Sequence, residues 1–292
     1  MDSMVMHERP VLRTPTIIAA FAGWPDAAES ATGAMRYILR KLKTRRFAEI
    51  LPEPFYNFSQ LRPLTVIRES GQRAMVWPTN ELFYCKGDDS PGDLILLLGT
   101  EPHLLWQTYV RSILDLAEET GIRQVVTLGG LYDNVLYKGE VTVTGLSNSE
   151  GLAARLADMG VKPTTYQGPT SIHSALREEC NRRGIHCASL WGHAPSYVQV
   201  VPNFNVSYGI ILKLSRFLKL EVDLTEIRAN ATNLEEQIER AISKDPELQS
   251  YVRKLEEGAG ATGAEEMPSS DVIVRDLEDF LRRQREKQGD NG

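Results

Sequence analysis

The chain has 292 residues, a formal net charge of −6, 42% hydrophobic residues and 25% charged residues. That length carries one large domain or two modest ones, and it buries enough surface to fold without disulfides or a metal. The acidic balance excludes a nucleic-acid backbone as main partner, because phosphate binding requires a dominant basic surface.

Residues 1–14 read as a polar leader, and an α/β core domain follows over 15–222. Thr16 to Ala22 (TIIAAFA) is a near-continuous apolar run, as suits a strand covered on both faces. Asp26 is placed to cap a helix over Ala27 to Leu42, whose apolar face is Ala31, Ala34, Met35, Ile38 and Leu42. Arg36, Arg40, Lys41, Lys43, Arg45 and Arg46 crowd the end of that helix. Favourable charge at a helix C-terminus explains them better than an anion site does. A second strand spans Phe47 to Leu51, and 52–63 is a Pro- and aromatic-rich loop. Leu64 to Arg68 and Arg73 to Trp77 alternate in period two and predict a hairpin. Glu81 to Lys86 adds another strand.

Asp93 to Leu98 is the clearest buried strand, and a helix follows from about Leu104 to Glu119. Strands are then expected at Gln124–Leu128, Val141–Gly145, Pro163–Gln167 and His186–Leu190. Helices are expected at Glu150–Met159, capped by Asn148 or Ser149, at Ile172–Arg183 and at Phe204–Leu220. This alternation means a mostly parallel sheet flanked by helices. A helical hairpin or extension occupies 223–257, with a seam of Ile227, Ala231, Leu234, Ile238 and Ala241 and a helix start at Asp245-Pro246-Glu247. A flexible link over 258–270 leads to a C-terminal helix over 271–286, with Ile273, Leu277, Phe280 and Leu281 on one face.

Cys85, Cys180 and Cys187 are an odd number without CxxC spacing, which predicts free thiols in a reducing compartment. Neither a signal peptide nor a membrane-length apolar stretch is visible, so the expected location is the cytoplasm.

Ligands of a parallel α/β sheet bind beyond the carboxyl ends of its strands. Those positions hold Gly23, Trp24 and Asp26; Thr100 and Glu101; Gly129 and Gly130; Gly168 and Thr170; and Trp191 and His193. Asp26 and Glu101 could face one cleft as an acid/base pair if their strands are neighbours. The structural reading makes Asp26 an N-cap and gives Glu101 to the first turn of the helix after Pro102. His193 is the best single general-base candidate, since an unperturbed imidazole titrates near neutrality. The Gly168-Pro169-Thr170 turn could hold an anion on backbone amides or simply cap a helix. Trp24, Trp106 and Trp191 read as core or cleft walls. No spaced His pair supports a metal site, and without GxGxxG, GxxxxGK[ST] or GxSxG no cofactor or hydrolase elbow is expected.

The same strings carry a resemblance. Phe21-Ala22-Gly23-Trp24-Pro25-Asp26-Ala27-Ala28 resembles the opening motif of the proteasome assembly chaperone 2 family. Gly99-Thr100-Glu101-Pro102 with Trp106, Thr127-Leu128-Gly129-Gly130-Leu131 and Tyr166-Gln167-Gly168-Pro169-Thr170 are similar to further segments of it, as is Ser189-Leu190-Trp191-Gly192-His193-Ala194-Pro195 with Tyr197. These segments fall in order within residues 14–220. The resemblance implies a nucleoside-phosphorylase-like fold and self-association, with a trimer as the expected state. It also implies proteasome subunits as partners, which other branches reach through a hydrophobic–Tyr–x tail; this chain ends Gly289-Asp290-Asn291-Gly292. Two functional readings therefore stand: a non-catalytic homo-oligomeric binding or assembly protein, or an enzyme or binder of a small nucleoside-like or anionic ligand at the strand ends.

Overall fold

The apolar runs expected to be buried strands lie side by side at the centre of one large sheet. The computed structural model describes residues 3–257 apart from 69, 88–91 and 199. The link expected at 258–270 and the helix expected at 271–286 lie outside the described residues. In chain order the elements are β1 (Met4–Met6), β2 (Thr16–Ala22), α1 (Ser30–Lys41), β3 (Arg45–Ile50), β4 (Leu64–Ile67), β5 (Arg73–Val76) and β6 (Glu81–Cys85). Then come β7 (Leu94–Thr100), α2 (Trp106–Thr120), β8 (Gln124–Asp133), β9 (Val143–Ser147), α3 (Glu150–Asp158) and β10 (Lys162–Pro163). The remaining elements are α4 (Ile172–Arg182), β11 (His186–Pro195), α5 (Phe204–Leu218), α6 (Thr225–Ile242) and α7 (Pro246–Glu256).

Nine strands form the sheet in the order β1-β3-β6-β7-β2-β8-β11-β9-β10. The α/β class holds, and the parallel pairing is concentrated in β7-β2-β8-β11. The flanks are mixed: β6, β3 and β1 run antiparallel on one side, and β9 lies antiparallel to β11 on the other. Parallel neighbours need a crossover of about a dozen residues or more, usually a helix. The connection from β8 to β9 carries none.

Two expectations change at the sheet margins. Residues 4–6 of the supposed polar leader are a strand paired to β3, with Met4 and Met6 packed on the core. The strand expected over Pro163–Gln167 is only Lys162–Pro163. Thr164 accepts a bond from the Tyr166 amide, a local turn that draws the chain off the ladder.

Each face of the sheet buries a separate apolar layer. Ile18, Ala20, Leu96 and Leu128 point to one face, under α1, α3, α5 and the start of α6. Ile17, Phe21, Ile95 and Val125 point to the other, under α2 and α4. The extension docks α6 beside α1: the Tyr37 hydroxyl donates to Asp223 O, and Arg40 and Lys41 pair with Glu226. Arg36, Arg45 and Arg46 also face carboxylates, at Glu29, Glu8 and Glu49. The basic cluster is thus largely consumed by ion pairs. Asp245 caps α7 as expected, accepting from the amides of Glu247 and Leu248.

Strands β4 and β5 form a hairpin outside the main sheet. The excursion that carries it is clamped at its base. Asn80 is buried, and its Oδ1 accepts from Tyr56 OH at 2.9 Å, Tyr109 OH at 2.8 Å and the Thr100 amide at 3.0 Å. Tyr56 OH also lies 2.5 Å from Thr100 O. A Cβ at Gly99 would overlap Asn80 Oδ1, so glycine makes room for the amide. Asn80→Ala leaves the Thr100 amide without its acceptor and the Tyr109 hydroxyl with Tyr56 alone. It is expected to cost about 1–3 kcal/mol, read from the urea midpoint; no measurable loss would mean that water replaces the clamp.

Candidate functional site

Strands β7, β2, β8 and β11 end along a single edge, and every predicted site residue lies on or near it. Gly23 turns the chain at φ +114°, and Trp24 stands 59% exposed, not in the core or a cleft wall as predicted. Asp26 is buried and bridges Gly130 through its backbone. It is not the conventional N-cap of a helix beginning at Ala27. Ala28 and Glu29 have left-handed φ values of 53° and 49°, which separate a short 3-10 turn from α1. Asp26 reaches past that break: Oδ1 accepts from the amides of Ala31 at 2.7 Å and Thr32 at 3.1 Å, and Oδ2 from the Thr32 hydroxyl. These are amides a helix leaves unpaired at its start. Burial raises the carboxyl pKa, against the lowering effect of those bonds.

Glu101 caps a different helix from the one predicted. Its Oε1 accepts from the Ile172 amide at the start of α4, 2.8 Å away, rather than serving α2. Burial pushes this carboxyl up as well. Strands β2 and β7 are indeed neighbours. Yet α1 and α4 lie on opposite faces, so Asp26 and Glu101 serve separate helices and share no cleft.

The glycines have packing roles. A Cβ at Gly129 would stand 2.5 Å from the Trp191 ring, and one at Gly130 would press on Ala27 O at 3.0 Å. Trp191 in turn lies 4.8 Å from the ring of His173. Gly168 is followed by Pro169, whose carbonyl accepts from the exposed Tyr166. The Thr170 hydroxyl bonds Ser174 in the first turn of α4.

His193 bonds Asp133 through Nδ1 at 2.7 Å and Thr144 through Nε2 at 2.9 Å. With Nδ1–H given to the carboxylate, Nε2 accepts from the threonine hydroxyl. That is the polarity of a base relay, but both nitrogens are occupied and the side chain is only 10% exposed. Asp26, Glu101, Thr170 and His193 therefore do not converge: each is tied to its own intramolecular partner. A cavity of about 400 Å³ beside His193 is lined mainly by the loop after β8 and by α5, including Tyr137, Val141 and Asn205. The other predicted site residues do not line it. Among the described residues no group of three His, Cys, Asp or Glu side chains could hold a metal, and no helix is long and apolar enough to cross a membrane.

Sequence reasoning missed three features. The Tyr56–Asn80–Tyr109 clamp joins distant residues with no local signature. Asp133 and Thr144 lie on strands that flank β11, and only the strand order brings them to His193. The third is a row of exposed apolar side chains on the same edge: Leu104 and Leu105 after β7, Trp24 after β2, Tyr132 at the end of β8, and Tyr166 before α4. Leu104 and Leu105, Trp24 and Tyr132 thus belong to the ends of three neighbouring strands, β7, β2 and β8. The Leu104-Leu105 doublet before a helix was the available signal.

The PAC2 family profile matches residues 20–242. A PAC2 family protein from Streptomyces avermitilis is 30% identical, with a TM-score of 0.74 over 82% of this chain and 99% of that one. A proteasome-assembly chaperone homologue from Mycobacterium tuberculosis is 29% identical, with a TM-score of 0.73 over 81% and 99%. An archaeal proteasome activator from Pyrococcus furiosus shares the fold at 21% identity, with a TM-score of 0.66 over 82% and 99%. No curated protein matches the sequence.

His173 gives a pH prediction. It is 4% exposed, neither ring nitrogen has a partner, and burial lowers its pKa to about 3 from a usual 6.5. The unfolded chain binds this proton below pH 6.5 and the folded chain does not, so stability falls as pH drops from 6.5 towards 3. The loss from this group is about 2 kcal/mol by pH 5. His173→Phe is expected to keep stability at pH 7 within about 1 kcal/mol and to flatten the pH 7-to-5 slope of the melting temperature; an unchanged slope would show that the imidazole protonates in place.

Proposed function

This chain belongs to the PAC2 family, and on that premise we propose that it is a non-catalytic, homo-oligomeric assembly protein that binds other protein subunits at the carboxyl edge of its sheet. One observation carries the reading. The edge where an α/β enzyme presents reactive side chains has its ionisable groups engaged internally, while Trp24, Leu104, Leu105, Tyr132 and Tyr166 stand in solvent beside them. Exposed apolar side chains gathered along one edge favour a protein-binding role for it. The Mycobacterium relative, a proteasome-assembly chaperone homologue, supplies the partner class: proteasome subunits.

The hairpin β4–β5 is the proposed self-association element. Leu64, Ile67 and Met75 are exposed, and Trp77 packs on Phe58 at 4.9 Å. A lone two-stranded hairpin is at best marginally stable in water, and burial against a second copy stabilises it. Light scattering of the purified chain is expected to give an oligomer, a trimer first, that Ile67→Glu with Met75→Glu converts to monomer. Trp24→Asp is expected to leave the oligomer intact and weaken binding to purified proteasome α-type subunits at least tenfold. A monomeric parent removes the first part of the proposal; equal binding by parent and Trp24→Asp removes the second.

A further inference from the structure

The cavity beside His193 includes none of Trp24, Leu104, Leu105, Tyr132 and Tyr166 in its lining. One wall is the loop between β8 and β9, which four contacts tie down. The Tyr137 amide donates to Tyr197 OH at 2.9 Å, and Asn205 Nδ2 donates to Tyr137 O at 3.2 Å. The Gly139 amide donates to Glu235 Oε1 at 3.2 Å, and Lys138 pairs with Glu256 at 2.7 Å. The surface of the cavity is largely apolar, with Leu136, Val141, Val206 and Ile238 among the residues that line it. Its volume of about 400 Å³ lies in the range of small-molecule sites, about 300–1,000 Å³. The charged side chains of the lining already have counter-charges: Lys138 has Glu256, and Glu140 has Lys213 at 3.0 Å. A charged ligand would bring an unpaired charge into an apolar space, so these walls favour a neutral one.

The specific feature is Asn203, which lines the cavity and is only 2% exposed. It caps α5, with Oδ1 accepting from the Val206 amide at 3.2 Å. A backbone N–H can only donate, so that bond fixes which end of the side-chain amide is oxygen. The other end, Nδ2, has no partner among the described residues. Unlike Asn80 Nδ2, which is sealed off without a partner, it keeps contact with open space. A buried amide donor is costly until an acceptor reaches it.

We propose that this cavity binds a neutral, largely apolar small molecule, a compact ring system whose carbonyl or hydroxyl oxygen accepts from Asn203 Nδ2. The apolar walls supply contact area, and the single amide donor fixes the ligand's orientation. Because the cavity and the exposed apolar row have no lining residue in common, ligand binding stands or falls apart from the assembly role.

The test uses the full chain and prodan, a neutral dimethylaminonaphthalene that carries one ketone, followed by its fluorescence. Saturable binding at one site per chain with blue-shifted emission is expected; no saturable binding overturns the proposal. Leu136→Trp and Thr142→Trp, at exposed positions of the lining, put a large ring into the cavity. At least one of them is expected to weaken binding tenfold or more with the melting temperature unchanged, and full binding by both overturns the site. Asn203→Asp keeps an oxygen for the Val206 amide and removes the donor. Prodan is expected to bind this variant at least fivefold weaker, while the same dye without its ketone binds parent and variant alike. Equal loss for both dyes would reduce Asn203 to a helix cap and remove its role in the site. Anilinonaphthalene sulfonate, an anion with rings of similar size, is expected to displace prodan at least tenfold less well than the ketone-free dye does; equal displacement would overturn the neutral class. Ile67→Glu with Met75→Glu is expected to leave prodan binding unchanged, and loss there would place the dye on the β4–β5 hairpin and overturn the site.

Discussion

Two carboxylates close the carboxyl edge of the sheet, and the arrangement of everything along that edge follows from them. A helix begins with amides that have no partner in the helix, and in a buried location they must be satisfied by something else. Here the chain satisfies them from the strand ends: Asp26 reaches α1 on one face, and Glu101 reaches α4 on the other. Asp26 ties the end of β2 to the helix that follows it, and Glu101 ties the end of β7 to a helix start 71 residues on. Phe21 and Trp191 then pack around His173 between those anchors, and Gly129 leaves the space that the Trp191 ring fills. The polar groups of the edge are used for construction.

That use of polar groups bears directly on function. A catalytic edge keeps at least one acid or base in reach of a ligand, held at a suitable pKa. At this edge the imidazole of His193 is enclosed between Asp133 and Thr144, and the two raised carboxyls owe their shifts to burial under bonded amides. Solvent reaches the Asp133 carboxylate together with indole, phenol and isobutyl surface. The apolar groups contribute contact area and little chemistry.

The fold was legible wherever a local pattern decides. TIIAAFA and the run from Leu94 announced central strands, period-two alternation announced the hairpin, and Asp245-Pro246-Glu247 announced a helix start. The candidate site was legible as a set of positions but not as a set of contacts. Spacing places Asp26 near a helix start, but the left-handed turn at Ala28 and Glu29 that moves its target to Ala31 and Thr32 depends on packing against Gly130. Likewise Glu101 precedes α2 in sequence, and only the lateral position of α4 assigns it to Ile172. Met4–Met6 looked like part of a leader because three residues are too few to show a period; pairing with β3 supplies the rest.

The clamp at Asn80 has a consequence for how this architecture can vary. Tyr56 and Asn80 are in contact, so the chain sets out on its excursion and returns from it through one narrow neck. Between them Phe58 and Leu61 still pack on the core, and only the hairpin β4–β5 stands outside the main sheet. The entropy of closing such a loop grows only with the logarithm of its length, about 0.6 kcal/mol per doubling. The hairpin can therefore be lengthened, shortened or re-sequenced without shifting the register of β6 on β7.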